Sequence, residues 1–154
     1  MKVNHFFFYG NFMANYIAHE KFLKAHVTAV KQGWIKGCLY HDPMNGPVLV
    51  DGEYFVAGEV MSFCNIDRIA AYLDALKGCR NEYGQELYER NICSVKLLSG
   101  EVVLAYVYKA CKGKSWEVQN LGVQVFNGNW SSFIDNTNAF SGCPEKQFSH
   151  RQDA

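Results

Sequence analysis

The chain has 154 residues, 49% of them hydrophobic and 15% aromatic, which suits one domain with a sizeable, ring-rich core and is short for two domains of ordinary size. Fifteen basic residues balance fifteen acidic ones, so there is no electrostatic case for nucleic acid or an anionic membrane as partner. No apolar run approaches the roughly 20 residues of a membrane helix. The apolar stretch behind Lys2 is too short for a secretory signal and lacks a small-residue cleavage site, so a cytoplasmic protein is expected.

In chain order, residues 3–8 read as a short buried strand, β-branched and aromatic, stopped by Tyr9-Gly10-Asn11. Met13, Tyr16, Ile17 and Leu23 then fall near one helical face, so a helix is predicted to follow at once. Amides at such a strand-to-helix turn point outward, and a helix N-terminus adds partial positive charge, which suits a carboxylate or phosphate. The same junction is also an ordinary connection between two elements. Residues 27–32 and 34–40 look extended and broken at Gly33, with Gly37 marking a bend or a close backbone approach. Residues 41–47 form a loop on their Pro and Gly content.

Residues 48–50 and 54–63 are predicted strands joined by an Asp51-Gly52 turn. Asn65 is placed to cap a helix whose Ile66, Ile69, Ala70, Leu73 and Leu76 keep the helical period up to Gly78. A polar loop follows over 79–85. Residues 87–98 and 102–109, with Ser99-Gly100 between them, read as a β-hairpin. Beyond Cys111 the pattern thins, leaving a short strand within 118–126 and a polar stretch over 131–154 with a frayed end. Two helices among about six strands, with hairpins predominating, predict an α+β fold whose sheet curls around its core.

Cys38, Cys64, Cys79, Cys93, Cys111 and Cys143 form no C-x-x-C pair, and their gaps are wide and irregular. That argues against a zinc site or a redox pair and for six reduced thiols. Cys79, in a polar loop beside Arg80, has a neighbour that lowers a thiol pKa, but no histidine lies near it in sequence. His5, His19, His26, His41 and His150 show no ligand spacing and read as structural or exposed. No metal is expected.

A series of short motifs carries a more specific signal. Tyr9-Gly10-Asn11-Phe12 follows the first strand. Gly37-Cys38-Leu39-Tyr40, Pro47-Val48-Leu49-Val50 and Gly58-Glu59-Val60-Met61 come next. Leu73-Asp74 closes the second helix, and Tyr88-Glu89-Arg90, Ala105-Tyr106-Val107-Tyr108 and Asn127-Gly128-Asn129-Trp130 complete the series. In order and spacing over residues 3–133 the chain resembles the gamma-glutamylcyclotransferase-like superfamily, which includes the AIG2-like and butirosin-pathway cyclotransferases. The resemblance divides the chain into a domain over 1–134 and a polar extension over 135–154.

The resemblance implies a small mixed, antiparallel-rich β-barrel flanked by helices, with a pocket at the Tyr-Gly turn. It implies a small-molecule substrate carrying a γ-glutamyl group and no cofactor. The substrate's own α-amine attacks its γ-carbonyl, leaving 5-oxoproline and a free amine. Gly10, Asn11 and Phe12 would clamp the α-carboxylate through their amides, Tyr9 would wall the pocket, and Tyr88 and Arg90 would help to hold substrate. A surface ion pair of Arg90 with Glu89 or Glu101 is the plainer reading of that arginine. Glu59, in a strand, would face the barrel interior or cap a core hydrogen-bond network.

At one point the chain departs from the family. The common form is Leu-Asp-x-x-Glu-Gly with a catalytic glutamate, whereas this chain has Leu73-Asp74-Ala75-Leu76-Lys77-Gly78. A protonated lysine cannot accept a proton. Some bacterial members place a Glu-Tyr pair later in a longer loop, and Glu82-Tyr83 stands there in this sequence. Glu82 is therefore the expected general acid/base, against the plainer reading of a solvated loop glutamate. Three functions follow: a cyclotransferase using Glu82, a non-catalytic carboxylate-binding protein that has kept the turn, and, as the weakest, cysteine chemistry at Cys79.

Overall fold

The first strand, β1 (His5–Phe8), has Phe6, Phe7 and Phe8 buried, and two other strands flank its edges. The computed structural model describes residues 2–44, 46–77 and 86–141, the last five by backbone alone. β1 pairs antiparallel with β3 (Gly46–Phe63), at Phe6↔Met61 and Phe7↔Val60, and parallel with β5 (Val102–Ala110), at Phe6↔Tyr106. β4 (Tyr88–Leu97) pairs antiparallel with β5 and reaches β2 (Val27–Asp42) at Gly33↔Leu97 and Trp34↔Lys96. β2 and β3 then pair along nearly their whole lengths. The order β3-β1-β5-β4-β2 thus closes on itself as a mixed five-stranded barrel, and β6 (Val123–Gln124) adds to the end of β2. The curled, antiparallel-rich α+β barrel expected from the sequence is the fold observed.

Rings fill the barrel. Phe6 is fully buried, stacked on Phe8 with centroids 5.5 Å apart, and meets Phe63 edge-on at 6.1 Å. Four helices accompany the barrel among the described residues: α1 (Ile17–Phe22), α2 (Ile66–Lys77), α3 (Lys112–Leu121) and α4 (Trp130–Ser141). The cap expected at Asn65 is formed, its Oδ1 accepting from the Arg68 amide at 3.1 Å. Ile66, Ile69, Ala70 and Leu73 turn inward as their spacing requires. The β4–β5 hairpin also falls where expected, with Gly100 at φ +93° in its turn. No helix among the described residues is long and apolar enough to cross a membrane.

Several expectations are corrected. The helix predicted directly after β1 begins only at Ile17, because residues 10–16 form successive turns closed by Met13 N–H to Gly10 O and Tyr16 N–H to Met13 O. Met13 and Tyr16 reach the core from these turns, so their spacing imitates a helical face. Gly33 does not break β2. A Cβ there would lie 2.8 Å from the Lys96 carbonyl oxygen, so glycine lets β4 approach where the barrel closes. The register does shift at Gly37, in keeping with the bend expected there.

Asp51-Gly52 joins no hairpin. Cys38 pairs with Val50 and Gly37 with Tyr54, so residues 51–53 bulge out of a continuous β3. The hairpin turn lies instead within 42–46, where Asp42 pairs with Gly46 and its Oδ1 accepts from the Met44 amide at 3.0 Å.

The C-terminal part is more helical than its composition suggests. Residues 112–121, where the pattern thins and overlaps the stretch 118–126 expected to hold a short strand, form α3, whose buried face contains Lys114. Its ammonium is held by Asp42 and by Glu117, and a charge on the inward face hides the amphipathic pattern. α4 starts where Asn129 Oδ1 accepts from the Ser132 amide at 2.9 Å. It buries Trp130 and packs Phe133 and Ile134 on the core. The boundary drawn at residue 134 falls inside this helix.

Candidate functional site

The end of β1 and its turn build the site. Gly10 is required there by packing: an added Cβ would stand 2.3 Å from Pro47 Cγ and 2.9 Å from Pro47 Cβ. The turn therefore lies directly on the start of β3. The amides of Met13 and Ala14 are taken, the first by the Gly10 carbonyl and the second by Glu59 Oε1 at 2.6 Å. Among the described residues, the amides of Gly10, Asn11 and Phe12 donate to no protein acceptor. No helix starts there, so what the turn offers an anion is amides without a protein acceptor and without a helix dipole.

Beside these amides is a small cavity of about 20 Å³, lined by Pro47, Lys77 and Tyr108 as well as the turn. Its enclosed part holds about one water. Lys77 Nζ lies 5.1 Å from the Phe12 ring centroid and 5.9 Å from that of Tyr108. The residue standing where the family has its glutamate thus brings a cationic side chain to the cavity mouth.

The walls are tied from behind. Tyr9 donates its hydroxyl proton to the Tyr108 carbonyl oxygen at 2.8 Å, and burial first, then the nearby Tyr88, pushes its pKa far above the usual tyrosine range. Asn11 Oδ1 accepts from Trp130 Nε1 at 3.0 Å, which couples the turn to α4 and fixes the amide orientation. Tyr108 donates to Asp74 Oδ1 at 2.7 Å, and Arg90 grips the same carboxylate through Nε and Nη2, each at 3.0 Å. Arg90 pairs with Asp74 across elements, so the expected pairing with Glu89 or Glu101 is corrected.

This link has a pH signature. Burial alone would raise the Asp74 carboxyl, but hydrogen bonds from Arg90 and Tyr108, with the Arg90 charge, outweigh it and hold the pKa below the ordinary value. A folded-state pKa below the unfolded value of about 3.9 contributes stability that is complete above that value. The contribution is lost as pH falls through the native pKa. Asp74→Asn is therefore expected to lower Tm at neutral pH, with the gap to the native protein closing as pH falls below the ordinary carboxylate pKa. A gap that widens on acidification would contradict the assignment.

The remaining sequence candidates separate clearly. Glu59 bridges the Ala14 amide and Gln32 Nε2 (3.0 Å), serving as the cap of a hydrogen-bond network. Tyr88 does not line the small cavity; it packs on Val48, Val50 and Val118. Glu82, Tyr83, Cys79 and Arg80 lie outside the described residues. Burial raises the thiol pKa of Cys38 and Cys111 and pushes that of Cys93 up to about 11, which disfavours thiolate chemistry at those three. His19 is buried and donates to the Phe12 carbonyl at 3.1 Å, bracing the turn from below. Among the described residues no group of His, Cys, Asp and Glu could hold a metal.

Sequence reasoning assigned no role to Tyr108, Pro47 or Trp130, although all three stand in the motifs that carried the resemblance. Those motifs converge in space: Tyr9 to Phe12, Pro47, Lys77 and Tyr108 surround one cavity. The profile of the family "Gamma-glutamyl cyclotransferase, AIG2-like" matches residues 6–132. The chain belongs to that family.

Solved structures show the same fold at low identity. An AIG2-like protein from Mus musculus is 21% identical with a TM-score of 0.56, over 71% of this chain and 78% of that one. An uncharacterised protein from Pyrococcus horikoshii is 15% identical with a TM-score of 0.58, over 90% of this chain and 98% of that one. YkqA from Bacillus subtilis is 17% identical with a TM-score of 0.61; the match covers 92% of this chain and 43% of YkqA, under half of that protein. No curated protein matches the chain.

Proposed function

We propose that the protein is a γ-glutamyl, or γ-glutamylamine, cyclotransferase that releases 5-oxoproline and a free amine. The observation that carries this reading is the set of amides at Gly10, Asn11 and Phe12 without a protein acceptor, beside a small open cavity lined by Lys77 and Tyr108. Neighbouring N–H groups without a protein acceptor suit the α-carboxylate of a glutamyl moiety. With that end fixed, the chain of the substrate folds so that its α-amine meets its own γ-carbonyl. The new C–N bond closes the five-membered lactam as the bond to the leaving amine breaks. Holding both groups in one near-attack geometry supplies several kcal/mol of the barrier, about 7–11 in favourable intramolecular cases.

The protein then needs a base for the α-amine proton and an acid for the leaving nitrogen. Glu82 fills both roles in this reading, taking the proton and passing it on. Tyr9 walls the site, and Asp74 acts only through Tyr108. The ammonium of Lys77 at the cavity mouth lowers the pKa of any carboxylate near it, so it favours the ionised, proton-accepting form. One observation supports a second reading: Lys77 occupies the family's glutamate position, and a chain that has lost its base would bind γ-glutamyl compounds without turning them over.

Turnover separates the two. The purified protein is incubated with a panel of γ-glutamyl amino acids and γ-glutamyl amines at several pH values, and 5-oxoproline release is measured. Release from at least one panel member is the expected result. Saturable binding of panel members with no release would establish the binder instead.

A further inference from the structure

A second hollow, away from the Tyr9 turn, lies beside α1 and α2 and is lined by cationic and aromatic side chains. Its volume is about 400 Å³, and its lining includes Lys21, His26 and Arg68 with the rings of Phe22 and Tyr72. That volume is within the range of small-molecule sites, roughly 300–1,000 Å³. No carboxylate lines it. The neighbouring Glu20 is engaged by Lys24 at 3.1 Å, and Asp67 lies outside the lining.

The sequence builds this convergence locally. Arg68, Ile69 and Tyr72 recur at the spacing of one helical face on α2. Lys21 and Phe22 end α1, and His26 ends the 3₁₀ turn Lys24–His26 that follows it. The Cys64 amide donates to the His26 carbonyl at 3.1 Å, pinning that turn to the end of β3. Phe22 and Tyr72 stand with ring centroids 6.1 Å apart, and Lys21 Nζ lies 5.4 Å from the Phe22 centroid. Tyr72 keeps 42% of its surface exposed. A cationic rim beside an open aromatic face selects a ligand with an anionic group and a planar ring.

We infer that this hollow binds a small phosphorylated compound carrying a planar ring, of the size of a nucleoside monophosphate. Arg68 and Lys21 hold the phosphate, His26 adds a third donor, and Tyr72 stacks on the ring. The site is separate from the Tyr9 turn and does not depend on the cyclotransferase reading. Lys21, Arg68 and Tyr72 are exposed, so substitutions at these three leave the barrel intact.

The test is calorimetric titration of the full chain with adenosine 5′-monophosphate, adenosine and inorganic phosphate. Saturable 1:1 binding of the monophosphate is expected, tighter than either fragment. The double substitution of Lys21 and Arg68 to Ala is expected to weaken it at least about tenfold, since charge-assisted contacts are lost. Tyr72→Ala should weaken the monophosphate several-fold and leave inorganic phosphate unchanged. Absence of saturation up to about 10 mM, a limit corresponding to negligible affinity, would overturn the inference. So would binding that the double variant leaves unchanged.

Discussion

Glu82→Gln is expected to preserve the fold and substrate affinity while cutting turnover by a factor of roughly 10² to 10⁴, the usual worth of general acid–base catalysis. The amide keeps the size and hydrogen-bonding reach of the carboxylate but cannot carry the proton. The residual rate would come from positioning, which the unpaired amides of Gly10, Asn11 and Phe12 provide. Lys77→Ala separates the two roles further. It removes the cation at the cavity mouth, and if that cation depresses the base, the low-pH limb of the rate profile moves to higher pH. Steady-state kinetics across pH on both variants reads this out. Full activity in Glu82→Gln would remove that residue from the mechanism.

Gly10→Ala is expected to have an effect of comparable size by a different route. The added methyl would stand 2.3 Å from Pro47 Cγ, and Pro47 is held in β3 opposite His41. Either the proline ring or the turn must move. Overpacking of this kind costs about 1–3 kcal/mol, and Tm should fall by several degrees. The functional loss should be larger than that stability change implies, because a displacement near 1 Å at a positioning group costs about 10²-fold in rate. Gly113→Ala is the control. It lies in α3 with nothing within 4 Å of the new methyl, so Tm should stay or rise slightly. Unchanged activity in a folded Gly10→Ala protein would mean that the turn is not the clamp.

The elements legible in the sequence were those whose pattern and contacts agree. Ile66, Ile69, Ala70 and Leu73 keep a helical period because one face of α2 packs on the barrel. The Ser99-Gly100 turn is legible because Gly100 takes a positive φ between two strands, adjacent in sequence, that pair with each other. Where tertiary contact overrides local pattern, the reading fails. Asp51-Gly52 looks like a hairpin turn, yet β2 pairs on both sides of it and converts it to a bulge. Met13 and Tyr16 imitate a helix because two separate turns aim both at the core. Lys114 hides α3 because its partner Asp42 is 72 residues away in sequence.

The candidate site shows the same division. The turn over residues 9–12 was legible from its Tyr-Gly step. Lys77 was placed there only by the resemblance, and the walls Pro47 and Tyr108 were not legible, since they come from separate strands. The role of Trp130, whose indole fixes Asn11 across 119 residues, was hidden in the same way.

A crystal structure of the protein with 5-oxoproline tests the central claim most directly, because the product retains the carboxylate the turn is proposed to hold. The expected result is a carboxylate oxygen at about 2.7–3.2 Å from the amide nitrogens of the turn, with the lactam ring toward Tyr9 and Lys77. Product bound elsewhere, or a turn whose Gly10, Asn11 and Phe12 amides are closed by the protein's own carbonyls, would contradict it.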